Sequence, residues 1–262
     1  MLNRVWKIMV AWFLKWGSPK WFYEQSKIWS LISGWLATGM ISWAFIYGIF
    51  YTPTEFKGHM SRALYIHVPS ASLSMMMYLA IGIMAVITLV WKMKMSSVVL
   101  KATAQVGAGF SVVMFVTGAI WGTPAWGQGI VWDPRLLGAG ILVLLYFGIL
   151  AVYSAIDSYE QADKAVAVLA ICTVFILVFI KYAPAMDGLG MQSIHQDSSG
   201  VYSGDGSAID NSYQRPLLMG IFGFMFMGMS LVLRQARVEV LVRFRTAKWV
   251  QAIFDKELAR GK

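Results

Sequence analysis

The sequence predicts an all-α membrane protein that crosses the bilayer six times, with both termini on the cytoplasmic side. Three observations carry that fold class. The 262 residues are 58% hydrophobic and only 13% charged, where an ordinary soluble domain carries about 25% charged residues. The few charges leave long uncharged windows between them. The positive charges also fall almost entirely on one side of those windows.

A helix rises about 1.5 Å per residue, so roughly 20 apolar residues cross the hydrocarbon core. Uncharged windows run from Lys27 to Glu55, Arg62 to Lys92, Lys101 to Asp133, Arg135 to Asp157, Lys164 to Lys181, and Arg215 to Arg234. The fifth holds only 16 residues, and a snorkelling Lys181 would lengthen it. The expected spans are 28–50, 69–91, 102–121, 134–156, 165–183 and 216–233. In lipid each must satisfy its own backbone, so each is a helix.

The segments 1–27, 92–101, 157–164 and 234–262 hold 17 of the 22 Lys and Arg residues; the other side keeps Lys57, Arg62, Arg135, Lys181 and Arg215. The positive-inside rule puts both ends in the cytoplasm. This asymmetry accounts for the net charge of +9, and no nucleic-acid partner is expected. Three regions follow: an interfacial segment 1–27, a membrane domain 28–233, and a basic cytoplasmic tail 234–262.

Residues 4–16 read as an amphipathic helix on the cytoplasmic face, in contact with membrane lipid, ended by Gly17, Ser18 and Pro19. No cleavable signal peptide is expected. Residues 92–101 and 157–164 read as inner loops, and outer loops are expected near 51–68, 121–135 and 184–215. The Asp and Gly residues of the last lack calcium-loop spacing. Asp133–Pro134 reads as an N-cap followed by a first-turn proline. Pro69 and Pro216 are expected at the same first position of their helices, which leaves His67 just outside the second helix. The single Cys172 excludes an intrachain disulfide and a CxxCH haem attachment.

The chemistry concentrates on the outer side. All three histidines, His59, His67 and His195, fall there. Two imidazoles from opposite faces make a six-coordinate haem iron; the alternative is that each is an interfacial polar side chain. His59 has no special setting. Trp121, Trp126 and Trp132 stand within a dozen residues, among Gly122, Pro124, Gly127 and Gly129. They read either as interfacial anchors or as a shelf for a flat apolar ligand such as a porphyrin. Arg62 and Arg135 read as carboxylate-binding groups or as snorkelling side chains at helix ends. Most methionines lie within spans and read as adaptable packing.

The segment WGTPAWGQGIVWDPRLLG, residues 121–138, resembles the tryptophan-rich signature of the WWD haem-handling superfamily. With RALYIHVPSA at 62–71, six spans and a histidine in the last outer loop, the chain resembles the haem exporter protein C family of cytochrome c maturation. The similarity covers about residues 28–235. It implies b-type, non-covalent haem bound on the periplasmic side of a bacterial inner membrane. It also implies delivery to a haem chaperone, alongside ABC transporter subunits, and no enzymatic activity. By the same resemblance the axial ligands are His67 and His195, the platform is Trp121, Trp126, Trp132 and Asp133, and the propionate partners are Arg62 and Arg135. Many relatives carry two further tryptophans where this chain has Gly129 and Ile130.

Two other functions stay open at this point. A haem lyase or cytochrome c synthase subunit would form thioethers on a CxxCH substrate. A small-molecule permease subunit would need polar or ionisable groups inside its spans, where Gln105 is the main candidate.

Overall fold

The computed structural model describes residues 15, 17–53, 62–127, 130, 133–182 and 211–260, with 124–126 and 211 in backbone only. Eight helices make up these residues: α1 Pro19–Phe50, α2 Leu64–Trp91, α3 Lys94–Trp126, α4 Pro134–Ala155, α5 Tyr159–Thr173, α6 Ile176–Tyr182, α7 Asn211–Arg243 and α8 Lys248–Arg260. Six stretches are long and apolar enough to cross a membrane: Pro19–Phe50, Leu64–Trp91, Lys94–Thr123, Pro134–Ala155, Tyr159–Tyr182 and Ser212–Arg243. The protein is therefore polytopic and all-α, as expected. His59, His195, Trp132 and most of the expected amphipathic segment 4–16 lie outside the described residues.

Five of the six spans start farther out than expected; the fourth, expected at 134–156, is Pro134–Ala155. Hydropathy marks where lipid lies, whereas a helix continues until its backbone loses a partner. The expected basic loop 92–101 reduces to Lys92 and Met93. Lys92 takes a left-handed conformation at φ 51°, which turns the chain directly into α3. The expected loop 157–164 is mostly the first turns of α5, and the expected tail from 234 is the continuation of α7 followed by α8. The short fifth window is resolved the same way. α5 and α6, separated by a turn at Val174 and Phe175, together span Tyr159–Tyr182, 24 residues.

Neither Pro69 nor Pro216 stands at a helix start; each is the sixth residue of its helix. Proline costs a helix the bond to the carbonyl four residues earlier. At the sixth position, past the first turn, that bond is lost. For Pro69 the carbonyl is that of Tyr65, which lies beside Gly220 of α7. The correction matters because it carries His67 into the first turn of α2.

The bundle centres on α2, α3 and α7. α1 packs along the length of α7, α2 packs along α3, and α4 and α5 close the opposite flank. Ser230 Oγ donates to Ser30 O at 2.7 Å across α1 and α7. In the core, Tyr146 of α4 is fully buried, with its ring edge-on to Tyr78 of α2 at 5.1 Å. Its hydroxyl donates to Ser74 O at 2.7 Å. The ring lies across Gly107 of α3, where an added Cβ would stand 2.4 Å from it. Large apolar side chains such as Trp35, Leu144 and Phe175 are exposed, as a lipid-facing surface requires.

One end of the bundle is tied by buried charges. Arg243 of α7 holds both oxygens of Asp163 of α5, at 2.7 and 3.0 Å. Its Nε donates to Glu239 at 2.6 Å, and Lys101 of α3 donates to the same oxygen at 3.0 Å. Tyr153 of α4 donates to Asp163 at 3.1 Å. The side chains of Arg243, Glu239 and Asp163 are 7%, 6% and 12% exposed. Sequence reasoning had placed ionisable groups outside the spans. The spans include these four, and they are consumed by one another.

Candidate functional site

The other end of the bundle gathers the expected site residues. It is formed by the starts of α2, α4 and α7 and the ends of α1, α3 and α6. Arg62 and Ala63 form a short turn that runs into α2. His67 follows as the fourth residue of that helix and is half-buried. Its ring points at α3. Nδ1 lies 3.0 Å from Met114 O and 3.3 Å from Thr117 Oγ1.

The acceptor-only carbonyl settles the roles: Nδ1 carries the proton and donates, so Nε2 keeps its lone pair. The Thr117 hydroxyl spends its own proton on Val113 O at 2.6 Å, which leaves its oxygen able to accept from the imidazole. Gly118 makes room for the ring. An added Cβ there would stand 2.9 Å from His67 Cε1, closer than real contacts allow.

Met114, Thr117, Gly118 and Trp121 are spaced at helical intervals of three and four, which puts them on one face of α3. Trp121, also half-buried, therefore stands one turn beyond the histidine contact. The expected loop from 121 is helix as far as Trp126. The helix ends at Gly127, whose φ of 79° and N–H bond to Thr123 O at 2.9 Å make a glycine C-cap. Trp126 is described in backbone only.

Asp133 is 2% exposed and caps α4 as expected, accepting from the N–H groups of Arg135 at 2.8 Å and Leu136 at 3.2 Å. Such a cap contributes about 1 kcal/mol. Arg135 reaches across to α6, donating from Nε to Ile180 O at 3.0 Å and from Nη2 to Lys181 O at 3.1 Å. It thereby satisfies two carbonyls at a helix end. Arg62 differs. Its Nε is buried and makes no hydrogen bond among the described residues. A buried guanidinium nitrogen without a partner costs free energy, and an incoming carboxylate would relieve that cost.

So His67, Trp121, Arg62, Asp133 and Arg135 all lie at one end of the bundle, and the first two converge on one face of α3. No group of three or more His, Cys, Asp or Glu able to hold a metal ion occurs among the described residues.

Comparison with known proteins gives the family. The family model for heme exporter protein C matches residues 12–251. Heme exporter protein C of Escherichia coli K12 is 33% identical over 232 residues, covering 87% of this chain and 90% of that protein. The Haemophilus influenzae protein of that name is 33% identical over 246 residues, covering 94% and 98%. The Bradyrhizobium diazoefficiens one is 34% identical over 209 residues, covering 78% of each.

The chain belongs to the heme exporter protein C family.

The family match takes in all six spans and every described site residue. In this family member, sequence reasoning missed Met114, Thr117 and Gly118. A threonine and a glycine within an apolar helix are unremarkable in composition. Their one legible signal is spacing: they lie three and four residues before Trp121, on the face that tryptophan marks.

Proposed function

We propose that this protein binds haem at the His67 end of the bundle and passes it to a haem chaperone. The iron lies between His67 and His195, with the ring against Trp121, Trp126 and Trp132. The haem is b-type and held without covalent bonds. Its propionates face Arg62 and Arg135, and Asp133 keeps the start of α4 in place beside them. Arg62 is the better propionate partner, because Arg135 already serves two carbonyls of α6. The protein works with ABC transporter subunits in a bacterial inner membrane. Its termini are cytoplasmic and the haem site is periplasmic. It carries cargo and makes no bonds in it.

The observation that carries this reading is the setting of His67. With Nδ1 committed to Met114 O, Nε2 is the nitrogen that would take iron. The buried Arg62 Nε adds a group suited to a carboxylate-bearing cargo. The test is an absorption spectrum of the detergent-purified protein, oxidised and reduced. The parent is expected to show low-spin six-coordinate haem, altered in both His67→Ala and His195→Ala. Spectra unchanged in both variants would refute the proposal.

A further inference from the structure

We propose that the Met114–Thr117–Gly118 turn of α3 is a positioning socket that sets how firmly His67 holds its cargo. The inference rests on the haem-binding reading above and goes beyond it, to what governs release. Three features build the socket. Met114 O at 3.0 Å and Thr117 Oγ1 at 3.3 Å share the Nδ1 proton. The Thr117 hydroxyl donates within its own helix, to Val113 O at 2.6 Å or Met114 O at 3.2 Å, so its oxygen stays an acceptor for the imidazole. Gly118 sets the depth of the ring, since a Cβ would meet Cε1 at 2.9 Å. Cε1 lies between the two ring nitrogens, so pressure there shifts Nδ1 and Nε2 together.

The chemistry of these two partners suits a carrier. Hydrogen bonds to a ligating imidazole orient the ring and raise its basicity, and a carboxylate does so most strongly. A carbonyl and a hydroxyl are neutral and polarise it less. His67 is then a ligand of fixed direction and moderate strength. In release the bond between iron and Nε2 breaks and its electron pair stays on Nε2. A donor of the chaperone supplies its own pair to iron. No electron is transferred, and no proton is required because Nδ1 keeps its hydrogen bond throughout.

The experiment compares haem-loaded parent protein with Gly118→Ala, Thr117→Val, Thr117→Ser, Gly109→Ala and His67→Ala. Readouts are the rate of haem loss to excess apomyoglobin, the midpoint reduction potential, and the low-spin to high-spin absorption ratio. Gly109 is the control, because an added Cβ there meets nothing within 4 Å. Gly118→Ala is expected to lose haem roughly tenfold faster, in the range found for groups that orient metal ligands. It should also show more high-spin haem and a shifted potential. Thr117→Val moves the same readouts in the same direction by less, while Thr117→Ser, which keeps the hydroxyl, and Gly109→Ala match the parent. If Gly118→Ala does not fold, the Thr117→Val and Thr117→Ser pair decides alone. Parent-like behaviour of Thr117→Val and Gly118→Ala, with His67→Ala still losing the low-spin spectrum, overturns the socket and leaves the haem site standing. A parent spectrum that does not depend on His67 overturns both.

Discussion

The two ends of this bundle use polar groups in opposite ways. At the Arg243 end, two cations and two carboxylates meet with a tyrosine hydroxyl; Arg243 serves Asp163, Glu239 and Ser97, and Glu239 serves Arg243 and Lys101. At the His67 end the same kinds of group are dispersed. An imidazole presents one nitrogen to α3, and a guanidinium keeps a buried Nε without a partner among the described residues. The first arrangement is costly to break, because removing Arg243 strands two buried carboxylates. In the second, the Arg62 Nε is left able to donate to a group from outside. Charges paired with one another tie helices together, whereas a buried donor without such a partner can take a carboxylate from outside.

The comparison can be broken by substitution. Arg243→Ala should have the largest effect on stability. It leaves Asp163 and Glu239 facing each other's neighbourhood with Lys101 alone to balance them, a loss of about 3–5 kcal/mol. Thermal unfolding in detergent measures it, and a shift no greater than that of a surface variant would show that the charged end is no clamp. Arg62→Met at the opposite end removes a buried nitrogen that has no partner among the described residues, so the unloaded protein should be no less stable, while haem retention weakens. Equal losses of stability at both ends would erase the distinction. Lys164→Ala should be the smallest. Lys164 and Glu160 pair at 2.7 Å on the surface, with side chains 61% and 79% exposed. Water and salt screen such a pair, so no measurable shift is expected.

The six spans were legible because lipid imposes a composition that a run of residues must show by itself. The charged clamp was not. Lys101 and Glu239 are 138 positions apart, and each looks like an ordinary charge beside a span until the neighbouring helix arrives. The prolines misled for a related reason. A proline near a helix start reads as the first residue, yet Pro69 and Pro216 each sit a turn and a half inside. At the site, His67 and the tryptophans could be singled out by residue type and motif. The turn that receives the imidazole could not, since Thr117 and Gly118 acquire a task only once α2 lies against α3. Asp133 was read correctly as a cap, because that role is completed within three residues of chain.

Tyr146 and Gly107 constrain how this sequence can drift. The tyrosine ring occupies the volume that any side chain at 107 would need, at 2.4 Å from its first carbon. Neither position can enlarge alone without overpacking a dry interior. Shrinking Tyr146 alone opens a void and leaves Ser74 O without that hydroxyl. The two positions should therefore be inherited as a pair. Among relatives sharing about a third of their residues with this chain, a larger residue at the position of Gly107 should be found with a smaller one at that of Tyr146. An alignment of the family would read that exchange directly.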